Sequence, residues 1–112
     1  MTGTYLSLGI AIAMEVIGTS ALKLSDGFEN VLPGLVTLVA YLGSFYFLSL
    51  ALRDLPIGAV YATWSAFGIV GAATVGLVFF DESIDLAGIV GMGLVIAGVA
   101  TLNLLSTAYS PA

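Results

Sequence analysis

Ala11-Ile12-Ala13-Met14-Glu15-Val16-Ile17-Gly18-Thr19 puts one carboxylate near the middle of an apolar run that extends from about Tyr5 to Leu22. The run is long enough to cross a bilayer, which takes roughly 20 apolar helical residues. A charge at that depth costs about 2.5–3.5 kcal/mol on insertion scales, and such residues mark routes for ions, protons or substrates. The chain has no His and no Cys, and its single Lys and single Arg, Lys23 and Arg53, fall at or beyond the ends of apolar runs. Tyrosine hydroxyls aside, Glu15 is therefore the one ionisable side chain expected inside a span. Chemistry that depends on charge within the membrane has to pass through it.

The rest of the composition agrees with a membrane reading. Of 112 residues, 60% are hydrophobic and 8% are charged, against about 25% charged in a soluble domain. The apolar runs are continuous rather than alternating, which favours helices over a barrel. Three further runs follow the first, from about Leu32 to Leu52, Ile57 to Phe80 and Leu86 to Ser106. Between them lie polar or Pro-containing links: Lys23 to Asn30, Arg53-Asp54-Leu55-Pro56 and Asp81-Glu82-Ser83-Ile84-Asp85. Short links join antiparallel neighbours. The expectation is an all-α integral membrane protein, with residues 1–112 forming one four-helix domain.

Several classes are set aside. Without Cys there are no disulfides and no thiolate metal sites, and no metal or cofactor site is expected. A net charge of −5 argues against nucleic acid as a partner. No phosphate-binding loop is present, and no arrangement suggests an enzyme. No basic residue precedes the first run, which is also long for a signal sequence, so no cleaved signal peptide is expected.

Reading each run at spacings of three and four gives its faces. Ser7, Ala11, Glu15 and Gly18 share one face, with Thr19 beside it. Gly34, Thr37, Tyr41, Ser44 and Leu48 line up on the second run, and Tyr61, Trp64, Gly68 and Gly71 on the third, with Ser65 alongside. These faces are polar, aromatic or small, and they are expected to converge on a chamber while aliphatic surfaces meet lipid. A carboxylate with Tyr and Trp rings suits an organic cation, since aromatic faces add about 0.5–2 kcal/mol each by cation–π attraction. Tyr61 has an alternative role as an interface anchor. For Glu15 the alternative is an ion pair with Lys23, but eight residues put the two roughly 12 Å apart along the axis. The fourth run carries a stripe of Gly88, Gly91, Val95, Gly98 and Leu102. Small residues at this spacing let helices approach closely in lipid. Gly91 and Gly98 are assigned to packing between subunits, although packing within one subunit would use the same pattern.

Lys23 and Arg53 lie in successive links, on opposite sides of the membrane. Orientation follows Lys and Arg in the loops, and one against one gives no preferred direction. Either two charges are too few to set a direction, or the tie marks dual topology, with copies inserting both ways.

At this point the residues carry a resemblance. Glu15-Val16-Ile17-Gly18-Thr19, Lys23-Leu24-Ser25-Asp26-Gly27-Phe28, Leu55-Pro56-Ile57-Gly58-Ala59-Val60-Tyr61-Ala62-Thr63-Trp64-Ser65 and Gly91 to Asn103 resemble the small multidrug resistance transporters. The resemblance implies an antiparallel homodimer in the cytoplasmic membrane that exchanges protons for cationic compounds. One chamber would hold the Glu15 of both subunits. Substrate contacts would fall to Trp64, Tyr61, Tyr41, Ser44, Ala11, Gly18 and Thr19. Guanidinium exporters of the family resemble Glu-Val-Val-Trp-Ala after the carboxylate, whereas this chain has Gly18-Thr19, so the drug or quaternary ammonium branch is favoured. The chain departs from the family at Ala66-Phe67-Gly68, where a Gly-x-Gly kink is usual, leaving Gly68 as the hinge residue. Met14 stands where Ala is common. The rival from another class is a proteolipid ring subunit of an ion-driven ATP synthase, also tiny, Gly-rich and built on one membrane carboxylate. Such a subunit needs no Tyr and Trp stripes on other helices.

Overall fold

The computed structural model describes residues 2–109, with side chains from Gly3 onward. Four helices follow in order: α1 Thr2–Leu24, α2 Val31–Ala51, α3 Ile57–Phe79 and α4 Leu86–Leu104. All four are long and apolar enough to cross a membrane, and the described residues contain no strand. The expected spans are found with small shifts. Helix α1 starts at Thr2 rather than Tyr5, and α4 ends at Leu104 rather than Ser106.

The chain divides into two compact units, one ending at Arg53 and the other starting at Asp54. In the first, α1 packs along α2 through a seam of small residues. Ala11, Gly18 and Ala21 of α1 are buried, as are Gly34, Thr37, Ala40, Ser44 and Ala51 of α2. In lipid, where apolar surface gains little from meeting apolar surface, close backbone approach of this kind is what associates helices. The link between them is tight. Asp26, Gly27 and Phe28 all adopt left-handed backbone angles, with φ of 49°, 69° and 69°. Ser25, fully buried, holds the turn. Its hydroxyl donates to the Leu22 carbonyl at 2.6 Å and accepts from the Phe28 N–H at 3.1 Å. Asn30 precedes α2 but turns its side chain back, donating to the Leu24 carbonyl at 2.9 Å. Pro33 lies in the first turn of α2, where the missing N–H has no helical partner to lose.

In the second unit α3 starts after Pro56, whose carbonyl receives the Val60 N–H at 3.1 Å. It runs unbroken through Ala66-Phe67-Gly68 to Phe79. Asp81 takes φ 56°, and both Phe80 and Glu82 point their N–H groups at the Gly76 carbonyl. Asp85 then caps α4, its carboxylate accepting from the Gly88 N–H at 2.8 Å. No residue of α4 is buried. After α4 the chain turns back, and the Tyr109 ring settles against Gly58, where a Cβ would come within 2.7 Å of it.

Candidate functional site

Glu15 and Thr19 are four residues apart and so lie one above the other on α1. The Thr19 hydroxyl donates to Glu15 Oε1 at 3.0 Å. Thr19 Oγ1 also lies 2.7 Å from the Tyr41 hydroxyl oxygen of α2. A threonine hydroxyl has one proton. With that proton given to Glu15, the Tyr41 O–H must donate to Thr19. The three side chains thus form a directed chain, Tyr41 to Thr19 to Glu15, that delivers hydrogen-bond donation to the carboxylate. Bonds to an ionised acceptor are about twice as strong as neutral ones. Glu15 is half-buried, and among the described residues it has no ion-pair partner.

Gly18 makes this geometry possible. The Tyr41 ring lies so close that a Cβ at position 18 would stand 2.7 Å from two ring carbons and 3.3 Å from the Ala40 Cβ. Tyr41 also stacks on Phe45, ring centroids 6.4 Å apart and planes 19° apart. One turn below Glu15, the Ser44 hydroxyl donates to the Ala11 carbonyl at 2.7 Å, and both residues are fully buried. Met14 runs across the seam to Gly43, which has no Cβ to obstruct it. On the flank away from Glu15, Met14, Ile17, Leu35, Val36, Val39 and Ala40 line an apolar groove of about 350 Å³. The hairpin therefore has one polar flank and one aliphatic flank.

The structure brings Ala11, Glu15, Gly18, Thr19, Tyr41 and Ser44 together within the first unit. Ala11, Gly18 and Ser44 form its seam, and Glu15, Thr19 and Tyr41 stand at the edge of it. In the second unit Tyr61 and Trp64 lie side by side on α3, centroids 6.4 Å apart at 47°. Trp64 is half-buried and Tyr61 is 69% exposed. Gly68 is half-buried in the same helix. Gly91, Gly93 and Gly98 on α4 face open space, with nothing within 4 Å of where a Cβ would be. Sequence reasoning placed Thr19 only beside the carboxylate. Its i, i+4 spacing from Glu15 was the signal for the bridging role. The Asn103 amide reaches Thr63, beside Trp64, at 3.1 Å, a contact between residues 40 apart that no local spacing signals.

Four membrane-crossing helices with one unpaired carboxylate at mid-span define a small multi-pass membrane protein with a polar intramembrane site. The sequence model for the Small Multidrug Resistance protein family matches residues 3–95, and the chain belongs to that family. It is 47% identical to quaternary ammonium compound-resistance protein QacE of Escherichia coli, over 93% of this chain and 94% of the relative. It is 46% identical to QacF of Klebsiella aerogenes, over 91% and 93%. The multidrug transporter EmrE of Escherichia coli strain K12 is 44% identical, again over 91% and 93%. EmrE is named a transporter and QacE and QacF resistance proteins; none of the three names is that of an enzyme.

Proposed function

We propose that this chain exports quaternary ammonium and other hydrophobic aromatic cations across the cytoplasmic membrane in exchange for protons. The observation that carries the proposal is the half-buried Glu15 carboxylate, without an ion-pair partner among the described residues and held by the Thr19 hydroxyl. A carboxylate in this setting accepts a proton or faces a cation, and either occupant displaces the other. Protons entering from one side then drive a cation out on the same side. The names of the relatives, which include quaternary ammonium resistance proteins, favour this substrate class over guanidinium compounds.

In this reading residues 1–112 act as one transporter domain, and two copies assemble antiparallel so that both Glu15 side chains share a chamber. Tyr41 and Thr19 orient the carboxylate. Trp64 and Tyr61 supply aromatic faces to the cation, and Ala11, Gly18 and Ser44 hold the α1–α2 seam that carries Glu15. The uncovered glycine face of α4, with Gly91 and Gly98, seats the second copy, and Gly68 serves as the hinge of α3. Proteoliposomes with an inward proton gradient test the proposal. The chain should accumulate or expel a quaternary ammonium against its gradient, and Glu15→Gln should abolish this. Proton-driven transport that survives in Glu15→Gln, or a preference for guanidinium over quaternary ammonium, would overturn it.

A further inference from the structure

The amide of Asn103 in α4 makes two donations. It reaches the Val99 carbonyl of its own helix at 2.9 Å and crosses to the Thr63 hydroxyl of α3 at 3.1 Å. Other hydroxyls of this unit behave differently. Thr74 and Thr101 each donate to the carbonyl four residues back in their own helices, which ties them to nothing else. Thr63 instead meets a neighbouring helix, and it is the residue immediately before Trp64. Successive residues on a helix point about 100° apart. A bond that fixes the direction of Thr63 therefore fixes that of Trp64, and that of Tyr61 beside it. The residues that α3 buries, Ala59, Val60, Ala66 and Gly76, have no polar side-chain atoms, so they orient the helix through packing and not through a directional bond. Helix α4 has no buried residue, and apart from Met92, Thr101 and Asn103 its surface is aliphatic or glycine, so its own packing fixes its azimuth weakly.

We infer that Asn103 and Thr63 are a positioning pair, which sets the rotation of α3 and so decides how the Trp64 face meets a cation. The inference rests on the proposed function, in which Trp64 is part of the cation site. Its consequence concerns substrate shape. A planar aromatic cation must lie parallel to the indole to stack, so it senses the ring's direction. A compact tetraalkylammonium approaches a ring face through methyl or methylene groups and tolerates rotation better.

The test uses the full chain reconstituted in lipid bilayers, with ethidium as the planar probe and tetrapropylammonium as the compact one. Trp64 is the single tryptophan, so its fluorescence reports its own surroundings. Thr63→Val removes the acceptor while keeping the shape, Asn103→Ala removes the donor, and Thr63→Ser restores a hydroxyl. Interhelical hydrogen bonds in membranes give effects of about three- to tenfold, and ethidium affinity should fall by that much in Thr63→Val and in Asn103→Ala. Tetrapropylammonium affinity should change less than about twofold, because its methylene shell needs no ring alignment. The double variant should be no worse than either single one, Trp64 emission should shift in all three, and Thr63→Ser should match the parent. Equal losses for both cations, or additive losses in the double variant, would overturn the inference. Trp64→Ala separates the two readings. If it weakens ethidium selectively while Thr63→Val does not, the positioning role fails and the proposed site stands. If it weakens neither cation, the placement of Trp64 in the site fails and takes the positioning role with it.

Discussion

The Tyr41 ring lies against Gly18, closer than any side chain at position 18 would allow. An added Cβ would fall 2.7 Å from two of its ring carbons. Because the hydroxyl of that ring donates to Thr19, and Thr19 to Glu15, the absence of a side chain at Gly18 sets the hydrogen bonding of the carboxylate two links away.

Gly18→Ala should therefore displace the Tyr41 ring and break its bond to Thr19. Losing a hydrogen bond in a chain to a charged group costs about 1.5–3 kcal/mol, or roughly ten- to a hundredfold in cation affinity if all of it is felt at the site. Tyr41→Phe removes the hydroxyl but keeps the ring, and it should give a similar loss. Isothermal titration with one quaternary ammonium compares the two. If Gly18→Ala binds like the parent while Tyr41→Phe does not, the ring finds another position and Gly18 has no bearing on the site.

Much of this hairpin was legible in the sequence, and the part that was not has a physical reason. The four spans are plain because an apolar run of about 20 residues has few other uses. Glu15 is plain because it interrupts one. The second-run face of Gly34, Thr37, Tyr41 and Ser44 was expected to line a chamber. Within the first unit Gly34, Thr37 and Ser44 are buried, with the Phe28 ring over Gly34, the Thr37 hydroxyl on the Pro33 carbonyl and the Ser44 hydroxyl on Ala11. Small polar residues at helical spacing suit a helix seam and a cavity wall equally, so the pattern alone does not separate them. Tyr41 is the member too large for the seam, and it is the one left beside Glu15.

The acidic link before α4 ends in Asp85, which is the N-cap of that helix through its 2.8 Å bond to Gly88. Asp85→Ala should destabilise the protein by about 1 kcal/mol, the usual cost of losing such a cap. Asp85→Asn and Asp85→Ser, which keep an acceptor, should recover most of it. Thermal unfolding in mild detergent, followed by circular dichroism, measures the difference. Equal loss in Asp85→Ala and Asp85→Asn would mean that charge, rather than capping, matters at this position.

The open face of α4 makes a separate prediction. With nothing within 4 Å of where a Cβ would stand at Gly91 and Gly98, a side chain there starts into open space within its own unit. Gly98→Leu should leave the folded chain intact by circular dichroism. It should convert the proposed dimer to monomer in mild detergent and abolish transport, because close helix approach needs small residues. Light scattering with detergent correction gives the mass. A Gly98→Leu protein that is still dimeric and active would place subunit contact elsewhere.

The last prediction follows from Lys23 and Arg53, the only basic residues in the chain. In an alternating four-span topology they lie on opposite sides of the membrane, so charge gives neither orientation an advantage. An antiparallel dimer makes use of this, since its inward-open and outward-open states can be one structure with the roles of the subunits exchanged. Such a dimer needs similar numbers of chains in each orientation, and a balance held by one charge on each side is easily tipped. Adding two or three Lys after Ser106 should hold both termini in the cytoplasm. Adding the same number between Asp81 and Asp85 should hold them outside. Each variant alone should lose transport, and co-expression of the two should restore it through mixed dimers. Labelling of a single introduced Cys from outside the cell gives orientation, and survival in a toxic quaternary ammonium gives activity. Full activity from either one-way variant expressed alone would mean that the working dimer is parallel.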